Sequence, residues 1–140
     1  MNLQRAIEIA IEAHKGQTDK AGKPYILHIF QVMARGKSED EKITSLLHDV
    51  VEDTAWTLEK LEAEGFSMKI IQALDSLTKR EGESYEAFIE RVKENPLAIK
   101  VKINDLEDNM DIRRLRQVSD NDTERLNKYL KAYRELVNYN

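Results

Sequence analysis

The 140-residue sequence contains no cysteine. That absence removes disulfides, thiolate metal sites and cysteine nucleophiles, leaving histidine and carboxylate side chains as the strong ligands available. Only five glycines and two prolines are present, too few for the many tight turns of a sandwich or barrel, so a helical protein is expected. No apolar run approaches the length of a membrane span, and the N-terminal MNLQRAIEIAIEAH mixes charged with apolar residues, unlike a secretory signal. A cytoplasmic location is the corresponding expectation. Positive charge is also in deficit: 22 Lys and Arg against 26 Asp and Glu give a formal charge of −4, which argues against nucleic acid or an anionic membrane as partner.

What is present is the mixture of a globular protein, 41% hydrophobic and 34% charged, in a length suited to one domain over residues 1–140. No internal repeat, low-complexity tract or long linker interrupts it. Leu3, Ile7, Ala10, Ile11 and His14 recur at helical spacing, and the polar KGQTDKAGKP stops that first helix. A second helix is predicted from about Tyr25 to Arg35. Ser38 and Glu41 form a capping-box pattern opening a third, which should run through roughly Glu52 on the stripe Ile43, Leu46, Leu47, Val50 and Val51. Shorter helices follow near 57–63, 68–77 and 85–93. Asn95-Pro96 is a cap and first-position pair for a helix carrying Ile99, Ile103, Leu106 and Met110, and a last helix is expected near 123–136. Short helices on short polar connections predict an all-α, irregular orthogonal bundle.

The stretch LLHDVVEDT concentrates polar groups where the apolar pattern is strongest. At about 100° per residue, His48 and Glu52 fall on one side of the stripe, Asp49 and Asp53 on the other. Asp105 and Asn109 border the apolar face of the later helix in the same way. Carboxylates at the edge of a core are partly desolvated and need a counter-charge, which a metal ion can supply. A lone His-Asp pair beside a core stripe is ordinary; with His28 in PYILHI upstream and Asp105 downstream, the order H…HD…D describes a mixed imidazole and carboxylate ligand set. Such donors suit Mn²⁺, Fe²⁺, Zn²⁺ or Mg²⁺. The reaction class this points to is metal-assisted hydrolysis of a phosphate ester.

The ordered series GQTDKAGKPYILHI, LLHDVVEDT, LTK and VKINDLEDNM resembles the HD-superfamily hydrolase domains of RelA/SpoT-type enzymes, which remove the 3′-pyrophosphate of (p)ppGpp, over about residues 3 to 115. The resemblance implies an HD-domain helical bundle and a Mn²⁺ ion held by His28, His48, Asp49 and Asp105. It implies Glu52 and Asp53 as the groups that position or activate the attacking water, with Asn109 on the nucleotide and Lys20 on phosphate or base. Tyr25, on the loop leading to His28, and Lys128, on the last helix, are the remaining candidates for substrate contact. No synthetase segment is expected in a chain of this length, and oligomeric state is left open. Alternative readings are hydrolysis of another phosphorylated small molecule and a nucleotide sensor without turnover.

The chain departs from the family pattern in two places. Where the family loop reads G-Q-x-R-K-S-G, this chain has Gly16-Gln17-Thr18-Asp19-Lys20-Ala21-Gly22, so the base-stacking arginine is Asp19. Where the family has D-R-L-H-N-M-R-T, this chain runs from Asp105 through Glu107, Asp108 and Asn109 to Asp111 and Ile112. Both changes shift the expected substrate side towards negative charge, with Lys23, Lys102, Arg113, Arg114 and Arg116 as possible compensation. His14, at the end of the first helix, is read as a structural residue near the helix dipole, and Trp56 as a core or pocket aromatic.

Overall fold

In the computed structural model, which describes residues 2–139, the chain forms α1 (Leu3–Ala13), α2 (Ile26–Arg35), α3 (Glu39–Leu47), α4 (Val50–Asp53), α5 (Leu58–Ala63), α6 (Met68–Leu77), α7 (Tyr85–Val92), α8 (Pro96–Asn109), a 3₁₀ turn (Ile112–Arg114) and α9 (Asp120–Val137). There is no strand among the described residues, only an isolated bridge between Thr18 and Pro24 that closes the α1–α2 loop. Among the described residues no helix is long and apolar enough to cross a membrane.

The helix starts follow from local chemistry. Ser67 and Ser84 each accept the N–H three residues on, as does Thr57 before the short α5. Asn95 accepts from the Ala98 N–H, with Pro96 at the first helical position. Each cap satisfies a backbone donor that the helix itself cannot. Two expectations at helix starts need correction. Ser38 accepts from Glu41 N, but the Glu41 carboxylate reaches back to Lys37 N rather than closing a reciprocal box on Ser38. The reciprocal box lies at Ser119 and Asp122 instead, starting α9 at Asp120, ahead of the predicted position.

Two apolar clusters carry the packing. One gathers Ala6, Ile9, Ile29, Leu46, Leu47, Val50 and Leu61 from α1 to α6; the other gathers Leu77, Phe88, Ile89, Val101, Leu106 and Leu136 from α6 to α9. Helix α6 serves both, with Ile70, Ile71 and Leu74 facing the first and Ala73 and Leu77 the second. Helix α3 packs against α1, α2, α6 and α8 at once. Its Leu46 and Leu47 are completely buried, and truncating either to alanine would cost about 2–5 kcal/mol. The end of α3 is therefore held firmly against α2 and α8, the two helices that bring the remaining polar candidates.

Candidate functional site

The third helix does not run unbroken to Glu52. It ends at Leu47, and His48 and Asp49 form a turn before the short α4 begins at Val50. The His48 ring takes part in the break: Nδ1 donates to the Ser45 carbonyl at 2.5 Å, the acceptor that a continuous helix would offer to the Asp49 N–H. Asp49 has φ −101° and ψ −3°, in the bridge region that helix interiors rarely use. The turn re-aims His48 and Asp49, while Glu52 and Asp53 follow on α4 as an exposed pair at the rim.

His28 comes from the first turn of α2 and Asp105 from the third turn of α8. His28 Nε2 lies 2.9 Å and His48 Nε2 3.3 Å from the same oxygen, Asp105 Oδ1. His48 Nε2 is also 3.2 Å from Asp49 Oδ2. Ligand atoms of His28, His48 and Asp49 all fall within 4.8 Å of one another, which is the spacing of a group able to hold a metal ion. Asp105 touches both rings but also holds Lys102, whose Nζ is 3.0 Å from its second oxygen. Tyr25 donates its hydroxyl to Asp49 Oδ2 at 2.5 Å, and Asn109 donates its side-chain amide to Asp105 Oδ1 at 3.2 Å.

The electrostatics describe a centre that needs positive charge. Burial opposes ionisation of Asp105, yet Lys102, His48 and His28 outweigh it and hold the carboxyl well below the usual range. Asp49 is likewise buried, but His48 pulls it down to about 2. Burial opposes protonation of both imidazoles too; Asp105 and Asp108 prevail at His28, Asp49 and Asp105 at His48, and both rings move up. The Tyr25 phenol is driven up by burial and by Asp49. At the rim, desolvation together with Asp49 raises Glu52 and Asp53. The donor set fits a divalent ion: both imidazoles engage Nδ1 outward, at Asp108 and at the Ser45 carbonyl, and turn Nε2 towards the carboxylates.

Beside this cluster lies a cavity of about 330 Å³ whose walls include Asp19, Lys20, Tyr25, Asn109, Arg114 and Tyr129. The candidates Lys20, Tyr25 and Asn109 thus reach one cavity. Lys128 does not line it; its Nζ lies 4.6 Å from the Tyr85 ring centroid and 5.5 Å from that of Tyr129. Trp56 packs against the first apolar cluster, away from the lining. His14 is buried at the end of α1, with Nδ1 2.8 Å from Gln17 Oε1.

The two acidic departures do not both face the cavity. Asp108 is completely buried behind His28, with Oδ2 at 2.6 Å from His28 Nδ1 and Oδ1 at 3.0 Å from Arg35. Asp19 is at the cavity, but its Oδ1 accepts from the Ala21 and Lys23 N–H groups and its Oδ2 lies 3.6 Å from Arg114. Sequence reasoning missed the pairings of Asp108 with His28 and Arg35, and of Asp19 with Arg114, because they join residues more than 70 positions apart. The Lys102–Asp105 pair was within its reach, since (i, i+3) neighbours share a helix face.

Comparison with known proteins adds the family. The chain is 33% identical over 120 residues to a guanosine-3′,5′-bis(diphosphate) 3′-pyrophosphohydrolase of Aquifex aeolicus, covering 77% of this chain and 17% of the relative. It is 35% identical over 81 residues to the bifunctional (p)ppGpp synthase/hydrolase SpoT of Escherichia coli, covering 55% and 11%. In structure it resembles a metazoan ortholog of SpoT that hydrolyzes ppGpp, with a TM-score of 0.77 at 22% identity, over 99% of this chain and 86% of that one. The chain is a RelA/SpoT-type HD domain. The domain spans about a sixth of the length of the first of these curated relatives. No protein-family model matches it. The all-α architecture expected from the sequence is the fold of the metazoan structure.

Proposed function

We propose that this RelA/SpoT-type domain is a metal-dependent phosphohydrolase that cleaves a pyrophosphate ester of a guanosine 3′,5′-bis(diphosphate)-type nucleotide. The observation that carries the proposal is the convergence of His28, His48 and Asp49 within 4.8 Å, directly against Asp105 and beside the cavity. In this reading His28, His48, Asp49 and Asp105 hold the ion, and Mn²⁺ is the ion that this donor set and the family favour. When bound, a divalent ion supplies Lewis acidity, polarising a phosphoryl oxygen and acidifying water.

The chain's own groups do the rest. Glu52 and Asp53 stand one turn beyond Asp49, where raised carboxyl pKa values make them better proton acceptors than ordinary surface acids. They orient the attacking water and take its proton. Tyr25 and Asn109 fix Asp49 and Asp105 through their hydrogen bonds and form the wall shared by cluster and cavity. Lys20 contacts phosphate or base in the cavity, and Lys128, exposed on α9, approaches an outer phosphate. The residues act as one domain on a small nucleotide in the cytoplasm, with neither nucleic acid nor membrane as partner.

A second reading, hydrolysis of a less highly charged phosphorylated molecule, is favoured by the charge pairing in the cavity. Arg114 is engaged by Asp108 and Asp19, and Arg125 by Asp122, so Lys20 is the lining cation without an ion pair among the described residues. A release assay for phosphate and pyrophosphate across a nucleotide panel with Mn²⁺ tests both. Turnover of ppGpp that disappears in Asp49→Ala supports the first reading; turnover of other phosphoesters with ppGpp untouched supports the second. Activity unaffected by Asp49→Ala would refute the metal mechanism.

A further inference from the structure

Asp108 is the most deeply buried carboxylate near the candidate centre, and the mechanism above does not use it. It lies on α8, three residues beyond Asp105, with no exposed surface. A carboxylate in such a place is costly unless paired and hydrogen-bonded. Its partners come from both ends of α2 and from the 3₁₀ turn. Arg35, ending α2, donates to Oδ1 at 3.0 Å; Arg114, in the 3₁₀ turn, donates to Oδ2 at 3.1 Å; and His28 Nδ1, at the start of α2, lies 2.6 Å from the same Oδ2.

We propose that Asp108 is a positioning residue that locks His28 in the orientation and tautomer needed for metal binding. The proposal rests on the metal-site reading given above. A carboxylate between two guanidinium groups has only lone pairs to offer, so the His28 nitrogen facing it must carry the hydrogen. That hydrogen sits on Nδ1, so Nε2, beside Asp105 Oδ1 in the cluster, is the nitrogen that would give up its proton and offer a lone pair to an ion. The opposite tautomer would set the Nδ1 lone pair 2.6 Å from an oxygen of Asp108, which Arg35 and Arg114 enclose, whereas Nε2 faces Asp105, the carboxylate that would share the ion with it. His48 is oriented differently, by the uncharged Ser45 carbonyl. The two imidazoles are therefore unequal ligands: the one backed by a charged acceptor is the more strongly donating. Arg114 adds a connection, because it touches Asp108, lies 3.6 Å from Asp19 Oδ2 and lines the cavity. The support of His28 and the cavity wall share one guanidinium.

The test is calorimetric titration of the purified chain with Mn²⁺ alone, for wild type and Asp108→Asn, with circular dichroism to verify that each is folded. The asparagine keeps the shape and removes the charge. The expected result is a wild-type site that binds Mn²⁺ and a folded variant whose affinity is lower by about 10- to 100-fold, the usual effect of losing an outer partner of a ligating histidine. A folded Asp108→Asn binding within twofold of wild type overturns the inference and leaves the metal site standing. A wild type that binds no Mn²⁺ overturns the metal reading and this inference with it. A second measurement does not depend on the variant folding: long-range ¹H–¹⁵N spectra of the Zn²⁺-loaded wild type. Hydrogen on His28 Nδ1 with Nε2 as the ligating nitrogen supports the assignment; the reverse tautomer overturns it.

Discussion

The centre and the cavity beside it are built on opposite terms. At the centre, His28, His48 and Asp105 are nearly inaccessible, and each polar atom is met by another from its own or a neighbouring helix. In the cavity wall, Asp19 and Arg114 come from a loop and a 3₁₀ turn, keep some exposure, and meet at 3.6 Å. Buried groups act on one another through a low dielectric, whereas the wall charges are screened by water. The difference teaches where a substitution should be felt. Changes at the centre should affect metal binding and turnover together, and changes in the wall should alter which ligand is held and how tightly.

The largest expected effect is from Asp105→Asn. It removes the negative charge that both imidazoles and Lys102 share. Several kcal/mol of charge stabilisation are at stake, equivalent to about 10³-fold or more in kcat/KM. Pyrophosphate release and Mn²⁺ titration should fail together; a variant that keeps wild-type turnover would break the assignment of the centre. Glu52→Gln separates binding from chemistry: kcat should fall by about 10²- to 10⁴-fold, as for loss of a general base, while the calorimetric Mn²⁺ isotherm stays unchanged. A parallel loss of metal affinity would place Glu52 among the ligands instead.

The wall is sharpened by Asp19→Asn. Asparagine can still accept from Ala21 and Lys23, so the turn survives, while the attraction to Arg114 is lost. For an anionic nucleotide, KM should fall by roughly threefold to tenfold with kcat unchanged, because one negative charge leaves the wall and Arg114 loses one of its two carboxylate partners. A rise in KM would show that Asp19 contacts the substrate favourably. The smallest effect is expected at Glu83, whose carboxylate accepts from Arg91 and from the Arg80 N–H. These bonds lower its carboxyl from 4.5 to about 2. Between those values the unfolded chain binds more protons than the folded one, so the contribution is complete above pH 4.5 and fades as pH falls towards 2. Glu83→Gln should lower the melting temperature at pH 7, by an amount that shrinks across that window in thermal denaturation followed by circular dichroism. Turnover at pH 7 should not change.

Much of the centre was legible in linear order because its members sit on helices with recognisable stripes and caps. Asn95-Pro96 announced α8 and hence the placement of Asp105 and Asn109, and the apolar run ending at Leu47 announced where His48 would be anchored. The break after Leu47 was not legible. LLHDVVEDT has the pattern of an unbroken helix, and only the His48 contact with its own backbone at Ser45 shows how the turn is accommodated. Lys128 shows the same limit: helical spacing placed it one turn from Arg125, but not its ammonium over Tyr85, a residue of a different helix. The negative character assigned to Asp108 was sound as composition and wrong as location, since a 0% exposed carboxylate enclosed by Arg35, His28 and Arg114 presents no charge to a ligand.

The sequence by itself determined the helical class, the absence of thiol chemistry, most helix starts and the identity of the imidazole and carboxylate groups. These depend on composition and on contacts within a few residues, where capping and periodicity operate. Only the tertiary structure decided which oxygen both imidazoles share, which acid lies behind His28 and which arginine the cavity wall holds. Those choices join residues of α2, the turn after α3, α8, the 3₁₀ turn and the loop before α2. They are made when two apolar clusters bring those elements together, and no local propensity encodes the meeting of side chains so far apart in the chain.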